Sequence, residues 1–199
     1  MKIAFTGAGG TGKTTLATYV AEKWGIPYVG SVAREVMKDM GVESETAQNE
    51  MSEAALFELQ HAIYLRRKAK LEEYPHFVTD RLALDNYVYG LRRCGRALTE
   101  DARKEWYEGV EADLYSFDLV FYTPTGLFAS VDDGIRQTDV AHNTLVDSAI
   151  YGLLCKLAFD RMACHVYVLQ MADLKRRKDF IDRLAAEVAE VTMGKRSDA

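Results

Sequence analysis

The stretch Lys2-Ile3-Ala4-Phe5-Thr6-Gly7-Ala8-Gly9-Gly10-Thr11-Gly12-Lys13-Thr14-Thr15 decides the fold. From Gly7 to Thr14 it fits G-x-x-x-x-G-K-[ST], a glycine-rich loop whose backbone N–H groups wrap a polyphosphate. The context fits as well. A short apolar strand, Ile3–Thr6, runs into the loop, and a helical pattern, Thr14–Trp24, runs out of it. Gly9, Gly10, Thr11, Gly12 and Thr15 complete the cradle around Lys13 and Thr14. In such a loop the lysine reaches the β- and γ-phosphates and the hydroxyl after it ligates Mg²⁺. The expected ligand is therefore ATP with Mg²⁺.

The same glycines also satisfy G-x-G-x-x-G, the dinucleotide fingerprint. That fingerprint requires an acidic residue about 20 positions on, at the end of the second strand, to hold a ribose hydroxyl. Here the second strand, Pro27–Gly30, is followed by Ser31. A dinucleotide site also has no use for the Lys13-Thr14 pair. The triphosphate reading is the better one.

Length and composition set the frame. A chain of 199 residues can bury a substantial core in one domain, taken here as residues 1–199. It is 48% hydrophobic with three prolines, which excludes a disordered chain. There is no apolar run of 18 residues, so no transmembrane helix is expected. The N-terminus reads straight into a strand without a signal peptide, and Cys94, Cys155 and Cys164 lack metal or disulfide spacing. A cytoplasmic protein with reduced thiols is expected. The net charge of −5 argues against non-specific nucleic-acid binding by the whole surface, while leaving room for a local basic groove.

Beyond the loop, strand-like and helix-like runs alternate. Strands are expected at Tyr28–Gly30, His76–Asp80, Asp118–Tyr122 and Cys164–Gln170, and helices at Val32–Met40, Asn49–Glu73, Leu84–Arg93, Glu100–Tyr115, Asp139–Asp160 and Asp173–Val191. In the long third helix, Met51, Ala55, Leu59, Ala62 and Ala69 mark one apolar face. Five strands separated by helices predict an α/β sandwich, a parallel sheet covered on both faces. The stretch 124–139 has no clear period and is expected to form a lid.

Ligands gather at the carboxyl ends of parallel strands, so polar residues there carry the functional weight. Asp80-Arg81 ends the third strand. Asp80 could hold Mg²⁺ or take the proton of an attacking hydroxyl, and Arg81 could clamp an anion; a helix-capping Asp with a surface Arg is the plainer account. Arg34-Glu35 follows the second strand, where Arg34 and Glu35 are candidates for substrate binding and Glu35 is an alternative general base. Asp132-Asp133-Gly134-Ile135-Arg136 follows the fourth strand, placing Arg136 to fold over a bound triphosphate.

Two cationic clusters read as ordinary surface. Arg66-Arg67-Lys68-Lys70 would complement the dipole at the end of the long helix. Lys175-Arg176-Arg177-Lys178, interleaved with Asp173, Asp179 and Asp182, would be a solvated face. Arg92, Arg93, Arg96 and Arg103 lie where an acceptor would bind, and Tyr87, Tyr89, Trp106 and Tyr107 nearby could stack on a base. The histidines have no metal spacing.

The glycine-rich loop, Ala33-Arg34-Glu35-Val36, Asp80, and Phe117-Asp118-Leu119-Val120 followed by Val131-Asp132-Asp133-Gly134-Ile135-Arg136 together resemble a known group over about residues 1–160. It is the small P-loop kinases related to the nicotinamide riboside kinase domain of the bacterial NAD-synthesis regulator. The resemblance implies an ATP-dependent kinase. Gly12, Lys13 and Thr14 would contact triphosphate and Mg²⁺, Arg34 would face the acceptor, Asp80 would be catalytic and Arg136 would belong to the lid. Asp80-Arg81 departs from that pattern and is more like the Asp-Arg pair of thymidylate and deoxynucleoside kinases. Stand-alone bacteriophage members of the group look like kinases of nucleotides, or of 5-hydroxymethyluracil in DNA. The expected acceptor is thus a nucleoside- or nucleotide-like hydroxyl, with a DNA strand or a nucleotide-driven protein switch as alternatives.

Overall fold

Strand β1 (Lys2–Thr6) is buried on both sides, and the alternation of its side chains divides the interior in two. Ile3 and Phe5 point to one face, where they meet Leu16, Ala17 and Val20 of α1 (Lys13–Trp24) and Ile181, Leu184 and Ala185 of α7 (Leu174–Ser197). Ala4 points to the other face, into a second cluster with Leu84 and Val88 of α4 (Ala83–Cys94), Val110 and Leu114 of α5 (Glu100–Tyr115), and Val146, Ile150 and Leu154 of α6 (Val140–Arg161). A strand covered on both faces reads as a near-continuous apolar run, as Ile-Ala-Phe does here. The computed structural model describes residues 1–44, 47–127, 140–161 and 166–197.

The sheet is parallel throughout, in the order β2-β3-β1-β4-β5, with β2 at Tyr28–Val29, β3 at Phe77–Thr79, β4 at Leu119–Tyr122 and β5 at Val166–Val168. Ile3 is in register with Val78 on one side and Leu119 on the other. The chain leaves β1 through α1 toward β2 on one flank, and β4 lies on the opposite flank. β1 therefore ends at a switch point, where a crevice opens above the carboxyl ends of the strands. The expected α/β sandwich is the one observed.

Several element boundaries differ from the sequence expectation, most consequentially at the start of the third helix. The long helix expected from Asn49 is a 3-10 turn, Ala47–Glu50, followed by α3 at Glu53–Glu72. Ser52 separates them because its hydroxyl accepts from Ala55 N, capping α3 and ending the earlier turn. The apolar face expected on α3 is also displaced: its buried side chains are Leu56, Leu59, Gln60 and Arg67. Helix α2 (Ala33–Asp39) joins it through Val36, Met37 and Leu59.

Candidate active site

The loop between β1 and α1 is held in shape before any ligand is considered. Gly7 has φ +134°, and a Cβ there would lie 2.4 Å from the Thr123 carbonyl oxygen. Only glycine lets β1 turn so tightly beside the end of β4. Gly12 is left-handed (φ +83°) and precedes α1 without a side-chain cap, leaving the first amides of that helix for an anion. Thr11 donates to the Ala8 carbonyl at 3.1 Å and shares a 2.8 Å hydrogen bond with Thr123. Lys13 is buried, and its ammonium donates within the loop, to the Ala8 carbonyl and to Thr11 Oγ1 (3.2 Å).

Two carboxylates brace this loop from the second face. Asp85, in the first turn of α4, accepts from Thr6 Oγ1 (2.8 Å), Gly7 N (3.4 Å), Leu82 N (2.9 Å) and the Arg81 guanidinium (3.1 Å). Asp147 of α6 accepts from Ala8 N (3.5 Å) and from both Thr125 N (3.1 Å) and Thr125 Oγ1 (2.8 Å). Both side chains are buried, and neither stood out in the sequence.

Above the strand ends lies a cleft of about 670 Å³, within the usual range for a small-molecule site. It runs from Gly10–Thr15 across Asp80 and Arg81 to Arg34, Gln60, Asn86 and Arg93. Asp80 stands at its middle, just beyond β3. Its Oδ2 accepts from Thr14 Oγ1 at 2.6 Å and from the Tyr28 hydroxyl at 2.9 Å, while its Oδ1 is buried without a hydrogen-bond partner. Asp80 therefore does not cap α4; that first turn is served by Asp85. Burial, and then the Asp80 charge, push the Tyr28 hydroxyl's pKa well above its ordinary value, so Tyr28 stays a proton donor.

The structure brings together Gly10, Thr11, Gly12, Lys13, Thr14, Thr15, Arg34, Asp80 and Arg81 in one cleft. Glu35 is not among the residues lining it: its exposed carboxylate pairs with Lys70 of α3 at 2.9 and 3.1 Å. Helix α2 turns successive side chains about 100° apart, so Arg34 and Glu35 cannot share a face. Arg136 and the Asp132–Ile135 segment lie outside the described residues.

Several cations have other roles than the sequence suggested. Arg67 is no surface complement to a helix dipole: it is buried, paired with Asp113 of α5 through two hydrogen bonds of 2.8 and 3.1 Å. It also donates to the Arg81 carbonyl at 2.9 Å. Arg177 is not on a solvated face either, but buried against the Met171 and Thr11 carbonyls (2.5 and 3.3 Å), and burial lowers its pKa. Arg92 contacts His142, whereas Arg93 does line the cleft, donating to Gln48 beside the Tyr89 ring. Of the four aromatics considered for base stacking, Tyr89 alone lines the cleft. Trp106 stacks on Phe57 and His61 in the interior, and Tyr87 meets Tyr107 edge-on.

The donor set suits Mg²⁺. A hard cation takes carboxylate and hydroxyl oxygens, and Thr14 and Asp80 offer both beside the phosphate loop, with Asp80 Oδ1 buried and unpaired. Among the described residues there is no cluster of three or more His, Cys, Asp or Glu side chains that could hold a metal ion. Nor, among the described residues, is any helix long and apolar enough to cross a membrane.

A family model described as an AAA domain matches residues 2–177. The chain belongs to this family. No curated protein matches the sequence. Among solved structures, the chain is similar to deoxyadenosine kinase from M. mycoides with bound dCTP, at 16% identity and a TM-score of 0.66, over 94% of this chain and 100% of that one. It is also similar to NadR protein in complex with NAD and AMP-PNP, at 15% identity and a TM-score of 0.63, over 94% of this chain and 49% of that one. Shikimate kinase from Acinetobacter baumannii with shikimate matches at 15% identity and a TM-score of 0.53, over 95% and 93% of the two chains. These likenesses establish that this AAA-domain family member has the P-loop kinase fold.

Proposed function

We propose that the protein is an ATP-dependent kinase that transfers the γ-phosphoryl group to a hydroxyl of a nucleoside- or nucleotide-like acceptor. The observation that carries this reading is the 2.6 Å hydrogen bond between Thr14 and Asp80, with the second Asp80 oxygen buried and unpaired in the same cleft. A loop built only to bind or hydrolyse a triphosphate does not need a second chamber. Here the cleft extends past Asp80 to Arg34 and Asn86.

In this reading Gly10–Thr15 hold the triphosphate through backbone N–H groups, and the Lys13 ammonium leaves its contacts within the loop for the β- and γ-phosphates. Thr14 and Asp80 would hold Mg²⁺, which neutralises phosphate charge when bound. Asp80 faces the acceptor chamber and takes the proton of its hydroxyl. The acceptor oxygen bonds to the γ-phosphorus as the bond to the β–γ bridging oxygen breaks, and ADP leaves. Tyr28, kept protonated, fixes the Asp80 carboxylate in place. Little covalent work falls to the protein, so positioning supplies most of the rate.

The test is labelled ATP incubated with nucleosides, nucleotides, nicotinamide riboside, and plain or hydroxymethylated DNA. Label is expected on a small acceptor and lost with Lys13→Ala. Label on DNA alone would move the acceptor assignment to the polymer. ATP hydrolysis that no acceptor stimulates would remove the kinase reading altogether.

A further inference from the structure

Helix α6 turns toward solvent a face unlike that of α5. The exposed positions of α5 are mostly charged, Asp101, Arg103, Lys104, Glu105 and Glu108 among them. On α6 no exposed position from Val140 to Gly152 carries a charge. Asp147, the one carboxylate in that stretch, is buried and accepts from Ala8 N of the phosphate loop. Val140 is 77% exposed, Leu145 61%, Tyr151 44% and Phe159 82%. These are four of the eight large apolar side chains exposed among the described residues, so the exposure is concentrated on one helix and not scattered.

The face also has a period. Leu145, Ser148, Gly152, Cys155 and Phe159 follow one another at spacings of three, four, three and four residues. That is the seam of a helix that packs lengthwise on another helix. The side of α6 that packs on the sheet is a different one, carrying Val146, Ile150, Leu154 and Leu157. Gly152, at the middle of the seam, points the same way on separate grounds. Glycine within a helix weakens it, and a Cβ at Gly152 would meet nothing within 4 Å among the described residues. Packing within the chain therefore gives no reason for glycine there. On an exposed face, the missing side chain lets a second backbone come close.

We propose that this face docks a second copy of the chain, the two α6 helices crossing antiparallel at Gly152. The seam is its own complement, because Leu145 and Phe159 stand seven residues to either side of Gly152. In a two-fold antiparallel pair Leu145 of each copy faces Phe159 of the other, and each contact is made twice. Ser148, Gly152 and Cys155 keep the crossing point small, and the large side chains fill the space where the helices diverge. A partner with a charged surface would find nothing to pair with on this face. A membrane surface calls for several cations beside the apolar stripe, and Lys156 is the one Lys or Arg between Val140 and Phe159. A helix of 22 residues is about 33 Å long and about 11 Å across, so two such faces cover on the order of 700 Å². That is less than the roughly 1,200 Å² at which stable interfaces begin, and so the dimer is a reversible one with a micromolar Kd. None of the seam residues lines the cleft, and the inference is independent of the kinase reading.

Sedimentation equilibrium of the whole chain from about 1 to about 300 μM tests this. The wild type is expected to pass from monomer to dimer within that range. Leu145→Glu and Phe159→Glu each set a carboxylate on the seam, and each should raise Kd at least about 10-fold. The double variant Leu145→Glu, Phe159→Lys should dimerise more tightly than Leu145→Glu alone, since each carboxylate then faces an ammonium of the other copy. Gly152→Leu should remove the dimer while the monomer's melting temperature, taken at about 1 μM, rises or holds, because the helix has lost its glycine. Loss of the dimer is thereby separated from loss of the fold. A monomer at every concentration would overturn the proposal, and so would a dimer that survives Leu145→Glu and Phe159→Glu or forms unchanged with Gly152→Leu. A double variant no tighter than Leu145→Glu would overturn the antiparallel pairing. Binding to phosphatidylcholine vesicles by a chain that stays monomeric would give the face to a membrane instead.

Discussion

Arg67 of α3 and Asp113 of α5 form a buried two-point ion pair that grips the turn just after Asp80. Arg67 donates to the Arg81 carbonyl, and Asp113 accepts from Ala83 N at 2.8 Å. The pair lies behind the strand end and holds its geometry through the backbone. Removing one partner strands a buried charge, so Asp113→Ala should destabilise the protein by about 3–5 kcal/mol. Denaturant unfolding measures this. An Arg67→Met, Asp113→Leu double variant should recover much of that loss, and failure to do so would mean that the backbone contacts, and not the charges, carry the effect.

Asp80→Asn retains shape and loses the proton acceptor. The turnover number should fall on the order of 10²–10⁴-fold while ATP affinity changes only a few-fold. Equal losses in both would assign Asp80 to nucleotide binding alone. Glu35→Gln, which touches only the exposed pair with Lys70, should leave turnover within about two-fold.

Gly7→Ala places a methyl group against the Thr123 carbonyl at a left-handed backbone position. The strain at such a position amounts to roughly 1–3 kcal/mol before any clash is added. Both the melting temperature and ATP affinity should drop. A melting temperature unchanged from wild type would show that β1 and β4 can separate without penalty.

Alkaline pH should weaken the fold through two phenols, half-buried Tyr28 and buried Tyr122. Burial first, and then the charge of Asp80 or Asp147, raises the pKa of Tyr28 and of Tyr122 above the ordinary value of 10.0. The folded protein therefore holds these protons after the unfolded chain has released them. Their contribution is complete below pH 10 and declines as pH rises beyond it. Denaturant midpoints followed from pH 9 upward should fall, and Tyr28→Phe and Tyr122→Phe should each flatten that fall. Parallel curves for wild type and variants would place the alkaline loss elsewhere.

How far the sequence could be read depended on whether a residue's role was local. The phosphate loop is a contiguous pattern, and Ile3–Phe5 and Leu119–Tyr122 are unbroken apolar runs; both were legible. The place of Asp80 in the cleft was legible because a strand end in a parallel sheet is a privileged position. Gln60 and Asn86 were not, because each is an ordinary polar residue on its helix until α3 packs on α4. Arg67 was hidden among neighbouring cations that face solvent. A signal did exist: Leu56, Leu59, Gln60 and Arg67 recur at helical spacing, so a glutamine and an arginine occupied a face that should have been apolar. Ser52 was likewise readable as a cap, and would have moved the start of α3 to its observed place.

The parallel sheet has a consequence for how this molecule can be altered. The loop Gly7–Gly12 joins β1 to α1, while the other end of the cleft is lined by residues of α2, α3 and α4, Arg34, Gln60 and Asn86 among them; in the proposed kinase reading that end takes the acceptor. The two halves adjoin at Asp80 and through the carboxylate of Asp85. On that reading, exchanging cleft side chains of α3 and α4 should change which acceptor is taken while nucleotide binding is left as it is, provided Asp80 and Asp85 are kept. In the proposed reading the architecture separates fuel from cargo, with two carboxylates standing between them.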